Sequence, residues 1–219
     1  MKMHKPNNIL EKDVRDELDW DASLDDSQII VKADNGQITL TGAVPSYADL
    51  LDASDDAWMV SGVTAVDNEL LVGLAGEVIA DGDVAAQCMA ALDSDRFVPH
   101  GAVAVDVVDG WVTLGGYVRR HFQRQAAKYA VARVPGVRGV TDNVQISADP
   151  IPSDVADRIN KAFARKAILT SSVIQVTNSG STIYLDGTTD SRAAMEAAED
   201  TAWDAPGVTE VIDRLVLIP

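Results

Sequence analysis

The sequence lacks the residues from which disulfide-bonded, membrane-spanning and nucleic-acid-binding proteins are usually built. Cys88 is the single cysteine among 219 residues, which excludes an internal disulfide. No run approaches the roughly 20 apolar residues of a membrane-spanning helix. Basic residues number 18 against 34 acidic ones, giving a net charge of −16. This surplus disfavours nucleic acid as a partner, because the average surface repels phosphate.

The start of the chain also lacks the features of a secretory signal. Residues 1–10, MKMHKPNNIL, contain lysines but no apolar stretch behind them. We therefore expect a cytoplasmic protein, or a periplasmic one only if a signal peptide has been removed.

Sequence motifs of catalysis are absent as well. The chain has no P-loop, no G-x-G-x-x-G and no G-x-S-x-G, and its histidines share no metal-ligand spacing with one another or with Cys88. We expect no enzyme, no cofactor and no metal site.

The sequence contains one unit that is repeated three times. The strands ITLTGAV, VTLGGYV and IYLDGTT align on three glycines, at offsets of 74 and 71 residues that hold along the whole unit without a gap. These glycines are Gly42, Gly116 and Gly187. The register predicts three domains, with Gly- and Pro-containing linkers at 75–82 and 148–153. The predicted domains are 9–74, 83–147 and 154–218.

Each unit reads as helix, strand, strand, helix, strand. In the first copy an apolar stripe predicts the first helix, Asn35-Gly36 supplies the positive φ of a tight hairpin, and Ser46 caps the second helix. A crossover helix between the second and third strands makes that pair parallel. The sequence thus predicts an α+β fold of three tandem α-β-β-α-β domains, each a three-stranded mixed sheet with two helices on one face.

The three aligned glycines have a structural interpretation. We expect each to let the chain leave the second strand sharply and to let the next helix pack close to the sheet.

The unit resembles a known domain family. The pattern D-G-x-V-T-L-x-G is complete at 109–116, and P-G-V-x-x-V follows at 135–140 and again at 206–211. Both resemble the BON domain of bacterial osmotic-stress and nodulation proteins, and the whole chain looks like a triple-BON protein. The resemblance implies a non-catalytic domain that contacts phospholipid or envelope components. One cytoplasmic relative with a single BON domain is similar to a potassium-binding protein, which implies a cation role as an alternative.

The copies differ most in charge. Residues 9–74 hold 15 acidic and 3 basic residues, 83–147 hold 6 and 7, and 154–218 hold 10 and 6. Common positions build the fold, so we expect function where the copies diverge.

The basic residues of the middle copy concentrate near its second helix. Arg120, Arg124 and Lys128 recur at i, i+4 and i+8, which predicts one helical stripe. Basic groups beside aromatics suit a phosphate-bearing partner such as a lipid headgroup. There are two alternatives. The stripe is a solvated helix face, or it pairs with the acidic first copy, either in this chain or in a neighbouring one. The candidate partner-binding residues are Tyr117, Arg119, Arg120, Phe122, Arg124 and Lys128.

The sequence therefore favours a non-enzymatic binding module associated with osmotic stress. Its second domain would contact an acidic partner or phospholipid headgroups, without spanning a membrane. The alternatives are a cytoplasmic monovalent-cation (potassium) sensor and a self-associating structural protein, with a hydrolase last.

Potassium sensing by the acidic first copy makes a prediction about stability. A site selective for potassium raises the thermal midpoint of unfolding more in potassium chloride than in sodium chloride at equal concentration. Screening is the same in both salts, and an ion that binds the folded state adds stability beyond it. Differential scanning calorimetry in the two salts measures this. Coincident midpoints would leave screening alone and remove the sensor interpretation.

Overall fold

The protein has the predicted element order three times over. The structure is a computed structural model that describes residues 5–73, 79–147 and 150–218. The first repeat comprises α1 (Asn7–Trp20), β1 (Ile29–Asp34), β2 (Gln37–Val44), α2 (Tyr47–Met59) and β3 (Ala65–Val72). The second comprises α3 (Asp81–Ser94), β4 (Val103–Val108), β5 (Trp111–Val118), α4 (His121–Ala132) and β6 (Gly139–Ile146). The third comprises α5 (Val155–Phe163), a 3₁₀ turn (Ala167–Leu169), β7 (Val173–Ser179), β8 (Thr182–Thr189), α6 (Arg192–Trp203) and β9 (Glu210–Leu217).

Each repeat builds its own three-stranded sheet around a central middle strand. The orders are β1-β2-β3, β4-β5-β6 and β7-β8-β9. β1 is antiparallel to β2 and β2 is parallel to β3, and the third repeat pairs its strands in the same way. The predicted α+β fold of mixed sheets is confirmed.

Hairpin turns of the primed types fix the register of the first two strands in each repeat. Asn35 and Gly36 both have positive φ, as do Asp109 and Gly110, which is the type I′ pattern. The third repeat turns at Gly180, with φ of 58°, at the first loop position of a type II′ turn. These turns match the right-handed twist of the strands.

Both helices of a repeat bury their apolar stripes against one face of the sheet. In the first repeat the core contains Leu10, Val14 and Leu18 from α1 together with Ala53 and Ala57 from α2. The alternating side chains of the middle strand meet them, and the third repeat has an equivalent core. Ser46 and Asp49 form a reciprocal capping box at the start of α2, which confirms the prediction that Ser46 caps this helix.

Contacts divide the chain into two compact units. One consists of Met1–Gly116 with Gln125–Asn143, and the other of Tyr117–Arg124 with Val144–Pro219. The second repeat therefore contributes residues to both units. The predicted linkers lie partly outside the described residues, at 74–78 and 148–149.

The aligned glycines do not end the middle strands, contrary to the prediction. Gly42 pairs with Ile29 and the strand continues to Val44, and Gly116 and Gly187 lie at the same place in their strands. Their φ angles are 124°, 132° and 142°. A Cβ at these positions would meet the carbonyl oxygen of the residue before the paired one, at 2.0–2.1 Å. The glycine thus admits a backbone carbonyl of the neighbouring chain segment rather than the following helix.

This geometry predicts that Gly116→Val destabilises the second repeat by about 1–3 kcal/mol. The valine would have to adopt a positive φ and would collide with the Ala102 carbonyl. Urea unfolding followed by circular dichroism measures the loss. Gly115→Val is the matched control, since a Cβ at Gly115 meets no atom within 4 Å. Equal stability of the two variants would contradict this account of the glycine.

Candidate functional site

The candidate surface begins where β5 passes into α4. Arg119 and Arg120 occupy the two positions between these elements, and both side chains are exposed. Their backbone N–H groups donate to Oε1 of Gln123, at 3.0 and 3.1 Å. Because α4 begins at His121, Arg120 precedes the helix. The prediction that Arg120 belongs to a helical stripe with Arg124 and Lys128 is therefore wrong in its first member.

Exposed aromatic side chains stand on either side of these two arginines in the sequence. Tyr117 is 65% exposed and Phe122 is 51% exposed. Tyr117 alternates with the buried Val118 along β5, so the two side chains point to opposite faces of the sheet. We call Tyr117, Arg119, Arg120 and Phe122 the basic surface.

Arg124 is not a member of that open surface. Its guanidinium carbon lies 5.0 Å from the ring centre of Trp203 in α6, a cation–π distance. Trp203 itself is only 8% exposed, and its Nε1 donates to Oε1 of Glu199 at 3.4 Å. Arg124 thus has an aromatic partner within the chain, which the spacing of the basic residues could not indicate.

His121 shares the same tryptophan. Its ring stacks on that of Trp203 with centroids 4.0 Å apart and planes inclined by 10°. Burial, together with the nearby charge of Arg124, lowers the pKa of His121 to about 4. The imidazole is therefore neutral at pH 7 and adds no positive charge beside Arg124. Lys128 follows Arg124 by one turn of α4 and is partly buried.

The first repeat gathers carboxylates between its two helices. Oδ2 of Asp56 is buried and has no hydrogen-bond partner in the described part of the chain. Burial and, after it, the negative charges of Asp21, Glu17 and Asp52 raise the pKa of Asp56 to about 6. Burial also raises the pKa of Asp52, and the charge of Arg133 opposes that rise. Arg133 of the second repeat thus interacts with this acidic cluster.

Other expected features can be located directly. Cys88 is fully buried, and burial raises the pKa of its thiol to about 11, as befits a core residue. Among the described residues, no group of three or more His, Cys, Asp or Glu side chains could hold a metal ion. None of the helices in the described ranges is both long and apolar enough to cross a bilayer.

Comparisons with known proteins bear on the repeat. The family model described as BON domain matches residues 6–73, 80–148 and 153–219. Osmotically-inducible protein Y of Escherichia coli (strain K12) is 32% identical over 128 residues, which is 54% of this chain. The alignment spans 62% of that relative's length.

Solved structures add little to this. Two structures of CdsD, a structural protein of the type III secretion system of Chlamydia trachomatis, align over 96% and 99% of this chain and 93% and 100% of theirs. Their identities are 16% and 17% and their TM-scores 0.27 and 0.26, too low to support an argument about arrangement.

The raised pKa of Asp56 predicts a pH-dependent contribution to stability. Because the folded pKa of about 6 exceeds the ordinary value of 3.8, folding favours the protonated acid. The free energy of unfolding therefore falls as the pH rises from about 4 to 6, and the full penalty applies above pH 6. Asp56→Asn should raise the thermal midpoint at pH 7.5 and leave it unchanged near pH 3.

Asp67→Asn, on the exposed side of β3, is the control for general loss of negative charge. A gain in midpoint shared equally by Asp56→Asn and Asp67→Asn would contradict the local explanation.

Proposed function

Because the chain belongs to the BON domain family, we propose that it is a non-enzymatic, osmotic-stress-associated binding module whose basic surface contacts anionic phospholipid headgroups. The observation that carries the proposal is that Arg119 and Arg120 are exposed and are flanked in the sequence by two exposed aromatic residues. Arginine donates to phosphate oxygens, while tyrosine and phenylalanine favour the boundary between water and lipid.

The basic surface differs from the corresponding positions of the other repeats. At the aligned offsets Arg119 and Arg120 correspond to Pro45 and Ser46 in the first repeat and to Asp190 and Ser191 in the third. Ser46 and Ser191 accept hydrogen bonds from their helices as N-caps. In the second repeat an arginine occupies the serine position, and Oε1 of Gln123 accepts from the backbone N–H groups of Arg119 and Arg120.

The negative charge of the rest of the chain weakens the contact between the basic surface and the lipid. A net charge of −16 repels an anionic membrane, and each arginine near the lipid surface contributes about 1 kcal/mol. Two arginines and two aromatic rings support only weak, reversible binding. Such binding is strongest at low ionic strength, where the local attraction is least screened.

The proposed association with osmotic stress rests on sequence similarity to one relative. The relative that is 32% identical is named for osmotic induction, and it is longer than the part that this chain matches. That name supports a role under osmotic stress for this chain and supplies no ligand.

An acidic protein surface is the second candidate partner. The 15 acidic residues against 3 basic ones in residues 9–74 make the first repeat of another copy a complementary surface for the same arginines. Self-association would then weaken with salt, as lipid binding would, so salt alone does not separate the two partners.

The test uses the full chain and vesicles of phosphatidylglycerol in phosphatidylcholine. Arg119→Gln with Arg120→Gln should lower vesicle binding by roughly thirtyfold, the equivalent of about 2 kcal/mol for two headgroup contacts. Cosedimentation at low and high salt measures this. Arg96→Gln with Arg138→Gln removes two exposed cations from the same repeat and should leave most of the binding.

A third variant separates lipid from protein as the partner. Tyr117→Ser with Phe122→Ser should weaken vesicle binding and leave salt-sensitive self-association, measured by sedimentation velocity, unchanged. Wild-type protein that does not bind vesicles even at low salt, or arginine variants that bind like wild type, would refute the lipid proposal.

A further inference from the structure

The third repeat contains a groove between its two helices that the proposed function does not use. The groove has a volume of about 330 Å³. One wall is α5 with the residues that follow it, and the other is the end of α6. Apolar and small side chains form much of the lining, and three cations and one carboxylate surround it. The charged lining residues are Arg158, Arg165, Lys166 and Asp204.

Small residues open the space between the helices. Ala162 lies on α5 one turn after Arg158, and Ala205 faces it from the segment after α6. Neither side chain extends far enough to close the gap. Ile159 and Pro206 supply apolar wall on the two sides.

The cations surround this space with partly fixed geometry. Nη1 of Arg165 donates to the backbone carbonyl of Lys161 at 2.8 Å, which holds the guanidinium beside the end of α5. The remaining N–H donors of that planar group can still reach a ligand. Lys166 lines this groove and also a neighbouring cavity in which Oγ of Ser172 is buried without a hydrogen-bond partner among the described residues.

The cationic lining belongs to the third repeat alone. At the aligned offsets no position of the three carries a basic residue in the other copies. The first copy has Asp13, Trp20 and Asp21 at these positions, and the second has Gln87, Ser94 and Asp95. The third repeat has more acidic than basic residues, yet three of its six basic residues lie at this one groove.

The carboxylate narrows the chemistry of a ligand. Asp204 would repel an anion that filled the groove, but it accepts hydrogen bonds from hydroxyl groups. The hydroxyl of Thr201 already donates to the Ala197 carbonyl and is left as an acceptor. The lining therefore suits a ligand that has an anionic group at one end and hydroxyl groups at the other. Of the described residues around the groove, none is an exposed large apolar side chain that could enter a bilayer.

We propose that this groove binds a small soluble phosphate monoester of a hydroxylated carbon skeleton. The phosphate lies against Arg158, Arg165 and Lys166, the carbon skeleton packs on Ile159 and Pro206, and a hydroxyl group donates to Asp204. The volume lies at the lower end of the range for small-molecule sites. This groove shares no lining residue with the basic surface of the second repeat.

Isothermal titration calorimetry of the full chain with glucose 6-phosphate and glycerol 3-phosphate tests the proposal. We expect saturable binding of an ester, with inorganic phosphate at least tenfold weaker and glucose without measurable heat. Arg158→Gln and Arg165→Gln should each weaken binding about tenfold, the usual effect of losing one charge-assisted hydrogen bond. Lys161→Gln removes an exposed cation of the same helix outside the groove and should leave the affinity unchanged.

Ala162→Leu fills the groove without changing its charge and should abolish binding, while Asp204→Asn should reduce the preference for the ester over inorganic phosphate. Circular dichroism verifies that each variant is folded. Absence of binding by wild type, equal affinity for ester and inorganic phosphate, or equal losses in Lys161→Gln and Arg165→Gln would overturn the proposal. So would phosphatidic acid vesicles binding through these cations when glycerol 3-phosphate does not.

Discussion

The middle strand of each repeat approaches the start of its first strand so closely that no side chain fits at Gly42, Gly116 or Gly187. A Cβ there would lie 2.0–2.1 Å from a backbone carbonyl oxygen. That contact fixes how the hairpin enters the sheet, and the parallel third strand and both helices are built on the hairpin. Because the same constraint recurs three times, the repeats share a frame, one arrangement of sheet and helices, although the third adds a 3₁₀ turn and a different hairpin type.

Local chemistry made most of this frame predictable. Asn35-Gly36 specifies a type I′ turn, Ser46 specifies a cap, and the helical stripes follow from spacing alone. The role of Gly116 was predicted only in part. A sharp departure of the chain and a close approach by the next helix were expected there. The atom that a Cβ would meet is instead the carbonyl oxygen of Ala102, just before β4, which no local pattern reveals. Sequence periodicity cannot identify a contact made by residues from a distant segment.

The candidate site was less predictable for the same reason. The spacing of Arg120, Arg124 and Lys128 suggested one stripe, yet Arg120 precedes α4 and Arg124 lies against Trp203. Both facts depend on where a helix begins and on a partner almost 80 residues away in the sequence. Charge counting did identify the acidic first repeat, where burial and then the neighbouring carboxylates raise the pKa of Asp56. The groove of the third repeat was not predicted, because it forms only where the end of α6 meets α5, and the spacing of residues in the sequence does not show that packing.

The central claim is that ligands contact residues peculiar to one repeat and not the frame that all three share. Backbone amide NMR of the full chain, titrated with phosphatidylglycerol nanodiscs, tests this most directly. The account predicts that shifts and line broadening concentrate at residues 117–123 of the second repeat, with the aligned positions 43–49 and 188–194 unaffected. Comparable perturbation at the aligned positions of all three repeats would contradict it.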